Sequence, residues 1–592
     1  MAQRALAKKC RALFRLRSGD VYLPVVKLFP AGAVILLFLG AALGVGCQRQ
    51  PAELPATIPE TAGQTAVSPP ITPLPTKTPP PLPTIALTRT PIPTPTASPT
   101  PAPRRIGAEA AVPASLAAAA QAWAAGLPNA VWEETQPDLS LQINQGEPVA
   151  AWVYAVAAPF ATIPDEISLA ALQAAWNAGE LTLDAETSAV FTALWGEPAQ
   201  ANTIVPAAGL VDSLWAAQED FYNPALTILP FDQLSPKLKV LRVDGAAPID
   251  ANFDPAAYPL TVSIGLAGEE AATLAAAWSG PATNRDEAKI TTVAMTGPAG
   301  MRRAVADRME KYGLTYVAEE SGPVLQAADI AHMSNEDPFA PDCPLPDPNN
   351  SDNVCNRAEY FELVKWMGID VMEVTGNHLA DWGLDALNFT LDLYEEGGLM
   401  IFGGGRDLAA AQRPLTLEHN GNRIAFVGCN PVGPAYVWAK PDRPGTLPCG
   451  DYSDFLAQIR QLKEDGYLVI ATLQYLEDYR YGVGSQQRYD FQALAEAGAT
   501  VVSGSQGHHP QGFSFAYDSF IHYGVGNLLA DQMWSLPTRQ SFIDTYLFYD
   551  GRLLNVDLWT GLNVDYGRLR QMTPEERQDL LQSVFEASDL VD

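Results

Sequence analysis

The stretch from Pro51 to Pro103 does most to limit what this chain can fold into. Seventeen prolines and twelve threonines fall within residues 51–104, with no aromatic residue and only scattered Val, Ile and Leu among them. Each proline fixes φ and removes a backbone donor, and the segment lacks the apolar surface that a core requires. Residues 48–105 therefore read as an extended, disordered tether of polyproline II character, reaching up to about 3.1 Å per residue. Such a tether separates the N-terminal segment from the bulk of the chain.

That N-terminal segment is basic and then apolar. Residues 1–27 carry Arg4, Lys8, Lys9, Arg11, Arg15, Arg17 and Lys27 against the single acid Asp20, and Leu28 to Gly46 is uncharged. That is the layout of an export signal. The apolar run stops at Cys47. Preceded by Leu43-Gly44-Val45-Gly46, Cys47 resembles the lipobox cysteine of bacterial lipoproteins, with Gly44 where leucine is usual; the resemblance implies lipidation of Cys47. The alternative is an uncleaved anchor over residues 1–47, since a run of this length can just span a bilayer. Both readings tie the chain to the cell membrane and put its bulk on the extracytoplasmic face, because the positive flank stays inside.

The 592 residues carry 37 Lys+Arg and 67 Asp+Glu, a net charge of −30. A surface that must neutralise phosphates is not made this way, so no nucleic-acid partner is expected. With 47% apolar and 18% charged residues, the chain beyond the tether is ordinary globular material rather than a disordered or multi-span protein. Four cysteines lie in it: Cys343, Cys355, Cys429 and Cys449. In an oxidising exterior their spacing suggests the disulfides Cys343–Cys355 and Cys429–Cys449, one of three connectivities. A Cys₄ zinc site is the alternative, and no Cys-x-x-Cys pair supports it.

Residues 106–285 contain neither histidine nor cysteine. Ala151–Ala158 reads as a buried strand, Ser168 as the cap of a helix burying Leu169, Leu172 and Trp176, and Val240–Val243 and Leu260–Leu266 as strands. The order of "VYAVAAPFATIPDEISLAALQAAW", "LPFDQLSPKLKVLRVDG" and "YPLTVSIGL" resembles a lobe of a type II periplasmic substrate-binding protein of the phosphate-binding kind. It has no Thr-Gly-Ser-type phosphate cradle.

Residues 288–565 alternate apolar strands with helices: Ile369–Thr375, Ile424–Gly428, Tyr467–Leu473 and Thr500–Ser503 as strands, a helix carrying Leu384, Leu387, Leu391 and Tyr394, and another over Phe491–Ala497. Residues 566–592 read as a C-terminal helix opened by Thr573-Pro574. Polar groups succeed the strands: Asn335 and Glu336, Asn377 and His378, Gln474 and Glu477, Gln506 and His508. Loops at strand C-termini are where α/β proteins gather their sites, so convergence of these four is expected. His522 lies on a strand and is a further pocket candidate, whereas His332, His419 and His509 read as surface or packing residues.

The segments "AADIAHMSNEDPF", "MGIDVMEVTGNHLADWGLDALNFTLDLY", "GGGRDL", "RIAFVGCNPVGP", "EAGATVVSGSQGHHPQGF" and "FIHYGVGNLLADQ" resemble, in order and spacing, the bacterial capsule-synthesis CapA family of poly-γ-glutamate biosynthesis. The resemblance implies an α/β to α+β chain whose C-terminal part is a calcineurin-like metallophosphatase sandwich of α-β-β-α layers. It implies Glu336, Asn377 and His508 as ligands of one divalent metal (Mn, Fe, Zn or Mg), with His378 assisting a departing oxygen and Asp381 in the same loop. The family's His-Trp-Gly-x-Glu motif stands here as Gln474-Tyr475-Leu476-Glu477, its His-Pro-His pair falls on Gln506 and His508, and its first Gly-Asp is replaced by Thr296-Gly297-Pro298. One acid and two imidazoles of a two-metal centre are gone. Glutamine is a weaker ligand than imidazole, so one metal or none is expected. The implied function is synthesis, export or anchoring of an extracellular polymer, with envelope-biosynthesis proteins as partners and metal-dependent hydrolysis as the activity if it is an enzyme. The alternative is a non-catalytic envelope receptor that binds a solute or saccharide on a degenerate scaffold.

Overall fold

The computed structural model describes residues 102–590, which belong to one compact unit. The export or anchor segment, Cys47 and nearly all of the tether lie outside the described residues.

The front region is built around one long strand, Glu147–Pro159, whose run of Ala, Val, Trp and Tyr is buried on both faces. Its first half pairs antiparallel with Thr261–Gly268 and its second half with Leu238–Val243. Around it an eight-stranded sheet runs from Ala130–Trp132 at one edge to Glu166–Ile167 at the other. Ser168 caps the helix Leu169–Ala178 by accepting from the Ala171 N–H, and Leu172 and Trp176 on its buried face enter the core.

The back region holds two sheets. In the first, the strands Met400–Phe402, Val371–Glu373, Ile330–Asn335 and Ile290–Met295 run parallel, and the antiparallel strands Gln540–Tyr549, Arg552–Asp565 and Arg568–Gln571 extend it. In the second, Asn422–Cys429, Leu468–Asp478, Val501–Gly507 and Ser519–His522 are parallel neighbours, edged by Leu415–His419 and Phe513–Ala516.

Alternation along these strands dictates the layers, because successive side chains leave opposite faces. Val293, Ile330 and Val371 share one core with Ile424, Phe426, Ile470, Val501 and Phe520 between the sheets. Their neighbours Ala294, Ala331 and Met372 pack outward against helices bearing Met309, Leu363, Leu387 and Leu391. On the other side Ala425, Val427, Ala471, Val502 and Ile521 pack against Phe455, Ile459, Phe491 and Leu494 of the helices Ser453–Glu464 and Ser485–Glu496. The result is an α-β-β-α sandwich with an α/β lobe in front, the fold class expected from the sequence.

The two regions share side chains. Leu547, Tyr549 and Leu554 of the back hairpin enter the front core, while Phe160 of the front enters the inter-sheet core beside Phe513, Phe515, Phe520 and Phe585. The C-terminal segment is a strand, Arg568–Gln571, before its helix Pro574–Glu586, which opens with a full capping box on Thr573 and Glu576.

Candidate functional site

The parallel strands Ile330–Asn335, Val371–Glu373, Leu468–Asp478 and Val501–Gly507 come from both sheets, and the loops at their C-terminal ends meet around a cleft of about 540 Å³. Glu336, His378, Glu477 and His508 line it, so segments far apart along the chain reach one opening. A second wall comes from the loop that the Cys343–Cys355 disulfide closes, through Pro348, Asn349, Ser351 and Val354. The Cys429–Cys449 disulfide closes another loop, carrying Tyr436, whose hydroxyl donates to Asp381 Oδ1 at 2.6 Å.

Beneath the opening the amides form a knot. Gln474 Nε2 lies 3.4 Å from Glu336 Oε2 and 3.2 Å from Asn377 Oδ1, and it adjoins the Gln506 side-chain amide, whose nitrogen, in the orientation its neighbours favour, faces Glu336 Oε1 and Oε2 at 3.2 and 3.3 Å. Ser505 Oγ donates to Gln474 Oε1 at 2.5 Å. Gln474 and Gln506 are buried, so they form the floor rather than the lining, and Gln506 has φ of +85°. A non-glycine residue held there stores strain of the kind that gathers at functional sites.

His378 leans on Asp381, Nδ1 to Oδ2 2.6 Å, with Nε2 3.9 Å from Glu336 Oε1. Burial works against charging this ring, but the Asp381 hydrogen bond and the carboxylates of Glu336 and Asp337 outweigh it and raise its pKa. His508 is oriented differently. Its Nδ1 bonds Asn527 Oδ1 at 2.8 Å and its Nε2 lies 3.8 Å from Glu477 Oε1. It shares the cleft with Glu336 but is bonded into another set of side chains, and Asn377 lies behind the lining against Gln474.

Two expected pocket residues sit elsewhere. Asn335 is fully buried, with neither amide atom bonded to another described residue. His522 is also fully buried and pairs with Asp544 at 2.6 Å, between the sheets rather than in the opening. Each side chain obeys the strand pleat: Asn335 alternates with Glu336, and His522 points to the inter-sheet face.

The cleft also holds residues that the sequence reading missed. Asp337, next to Glu336, is fully buried and 2.7 Å from Arg302 Nη1; burial pushes its carboxyl up to about 6 even against that guanidinium. Arg303 pairs with Asp531 at 2.9 Å. Tyr479 and Trp534 stand at the mouth. Behind the knot, Glu373 crosses from one sheet to the other, accepting from Thr375, from Thr472 at 2.8 Å and from Ser505 at 3.5 Å, with His332 Nε2 3.3 Å away. Burial opposes its charge, and His332 and the hydroxyls outweigh burial and lower its pKa. Adjacency to Glu336 was a signal for Asp337. Nothing local marks Glu373, whose partners are all set by the sheet pairing.

The fold family implies a metal here, and the residues test that directly. A cation needs converging lone pairs. In this floor amide nitrogens face the would-be donors, Gln474 Nε2 towards the Glu336 and Asn377 oxygens and the Gln506 nitrogen towards the Glu336 carboxylate, and no three His, Cys, Asp or Glu side chains cluster for a metal among the described residues. Asn377 and Glu336 already share the Gln474 nitrogen, and His508 is turned to Asn527. The donor set does not fit a resident divalent metal, and no chemical step is routed through one.

Residues 292–532 match the family described as bacterial capsule synthesis protein PGA_cap. The Bacillus anthracis capsule biosynthesis protein CapA is 26% identical over 303 residues, 50% of this chain and 72% of that protein. The PGA biosynthesis protein CapA of Bacillus subtilis (strain 168) is 24% identical over 263 residues, 44% of this chain and 69% of that one. Among solved structures, Haemophilus influenzae NAD nucleotidase aligns over 51% of this chain and 57% of its own with 11% identity and a TM-score of 0.29.

Proposed function

Because residues 292–532 belong to the bacterial capsule synthesis protein family PGA_cap, we propose that the chain takes part in the synthesis, export or anchoring of a capsule or poly-γ-glutamate-type polymer at the outer face of the cell membrane. The supporting observation is that the matched residues contain nearly every side chain around the cleft, and that the Bacillus relatives, similar over 303 and 263 residues, are named for capsule and PGA biosynthesis. The basic and apolar N-terminus with Cys47 supports tethering, by lipid or by an uncleaved anchor, and the Pro/Thr segment supplies the reach. Envelope-biosynthesis proteins are the partners this role requires.

The amide knot favours binding over turnover. The amides of the floor hold the Glu336 carboxylate in place, and Glu336, Glu477 and Asn527 in the lining present hydrogen-bonding groups to a ligand. Deleting the gene in its native cell should abolish or strongly reduce the surface polymer, and the wild-type gene should restore it; unchanged polymer on deletion would end this reading. For the catalytic alternative, the purified chain with Mn²⁺ should cleave a generic phosphodiester no faster than the Glu336→Ala/His378→Ala variant. A rate tenfold above that control would make it a hydrolase.

A further inference from the structure

We propose that the mouth of the cleft is a subsite for a neutral, polyhydroxylated ring, a pyranose unit of a glycan, and not for the free polyanion. The proposal deepens the binding-cleft reading above and rests on it. Trp534 lines the cleft and yet is 66% exposed, an unusual position for the largest apolar side chain. Its ring stands 6.1 Å from that of Tyr479, tilted by 48°, and Tyr479 in turn lies 5.4 Å from His508 at 34°. The three rings follow one another from the exposed Trp534 to the buried His508, each tilted on the next.

Polar groups edge these rings. Tyr479 donates its hydroxyl proton to Glu477, Gln532 Nε2 reaches the same hydroxyl at 3.5 Å, and Asn349 and Ser351 stand in the lining opposite. Aromatic faces beside planar amides and carboxylates match a ring with an apolar C–H face and a rim of hydroxyls that both donate and accept. Charge argues against the polyanion. Both arginines of the lining are paired, Arg302 with Asp337 and Arg303 with Asp531, and Glu336 and Glu477 add two more carboxylates. A polyglutamate strand would meet repulsion here before it met a free guanidinium.

The test is saturation-transfer NMR and calorimetry on the full chain in detergent with three probes: β-1,4-linked N-acetylglucosamine tetramer and maltotetraose together as neutral glycans, γ-linked glutamate tetramer, and spermidine. At least one neutral glycan should bind, with transfer strongest at the ring C–H protons. Trp534→Ala should weaken it at least tenfold, and Trp534→Phe should keep it within about threefold. Trp534 is exposed, so both variants should fold, and unchanged thermal unfolding checks this. Binding of neither glycan, equal binding by Trp534→Ala, or preferred binding of the glutamate tetramer or of spermidine would overturn the proposal. If the glycans fail while the gene still restores surface polymer, only the subsite falls; if deletion leaves the polymer unchanged, the functional reading falls whatever binds.

Discussion

The front and back regions bury polar side chains in different ways. In the front, Asn284 and Arg285 are held chiefly by backbone. Asn284 accepts from the Val153 N–H at 2.7 Å and donates to its carbonyl at 3.0 Å, as a strand neighbour would, and Arg285 Nε donates to the Pro248 carbonyl at 2.7 Å. Beneath the cleft of the back region they bond to one another: Gln474 with Glu336, Asn377 and Ser505, and Glu373 with two threonines and a histidine. Side chain to side chain bonds are the minority class in folded proteins. Here they concentrate at the ends of four parallel strands, beneath the cleft.

The largest predicted effect strikes the back. Glu373→Ala leaves His332, Thr375 and Thr472 without their shared acceptor in a fully buried place, a loss on the order of 3–5 kcal/mol. Chemical denaturation should show a correspondingly lower midpoint. A loss under about 1 kcal/mol would mean the carboxylate is not the tie between the sheets. Next comes Cys429→Ser/Cys449→Ser, which opens a 20-residue separation and should cost about 3 kcal/mol. It also frees the loop whose Tyr436 holds Asp381, so ligand binding at the cleft should weaken with stability. In the front, Asn284→Ala should cost about 2 kcal/mol by stranding the Val153 backbone groups, and cleft binding measured by calorimetry should not change. Coupled loss of both would erase the contrast between the regions.

Acid sharpens the comparison, because the two regions respond with opposite sign. Asp165 of the front is held well below its usual range: burial opposes this, but Arg577 and Lys239 dominate. A depressed carboxylate contributes stability above its unfolded pKa and loses it as pH falls. Asp337 in the cleft is pushed up to about 6, chiefly by burial. Its folded form binds the proton more tightly than the unfolded chain does, so its contribution improves as pH falls from about 6 towards 4 and is lost as pH rises through that window. Melting temperatures from pH 2 to 8 should therefore show that Asp337→Asn removes a downward slope between about pH 4 and 6, whereas Asp165→Asn removes an upward one below about pH 5. Matching slopes in the two variants would refute the assignment.

How much the sequence disclosed depends on how local each signal is. Apolar runs such as Ala151–Ala158 and Ile424–Gly428 are readable because burial on both faces writes itself into consecutive residues, and the observed strands contain them. The hairpin Gln540–Tyr549 with Arg552–Asp565 went unread because polar residues interrupt it, although Asp550-Gly551, both at positive φ, marks its turn. At the site, Glu336 and His378 were legible from motifs at strand ends. His332 read as a packing residue because its partner Glu373 lies on a neighbouring strand and only pairing joins them. Tyr479 and Trp534 carry no motif, and their role exists only once the loops meet.

The smallest predicted change concerns Gln506. At φ of +85° glycine is the residue the backbone prefers, so Gln506→Gly should recover about 1–3 kcal/mol of strain while losing a hydrogen bond to the Glu336 carboxylate worth about 2 kcal/mol. These nearly cancel, and unfolding should shift by no more than about 1 kcal/mol. Gln506→Ala loses the same bond but keeps the strain, so it should be the less stable of the two. Ligand binding should fall in both, because the floor no longer fixes the Glu336 carboxylate. If instead the glycine variant were clearly destabilised, the amide would be a structural tie like Asn284 in the front; if it were stable and bound ligand normally, the strained residue would serve neither fold nor site. Stability kept and binding lost is the outcome that assigns the knot to function.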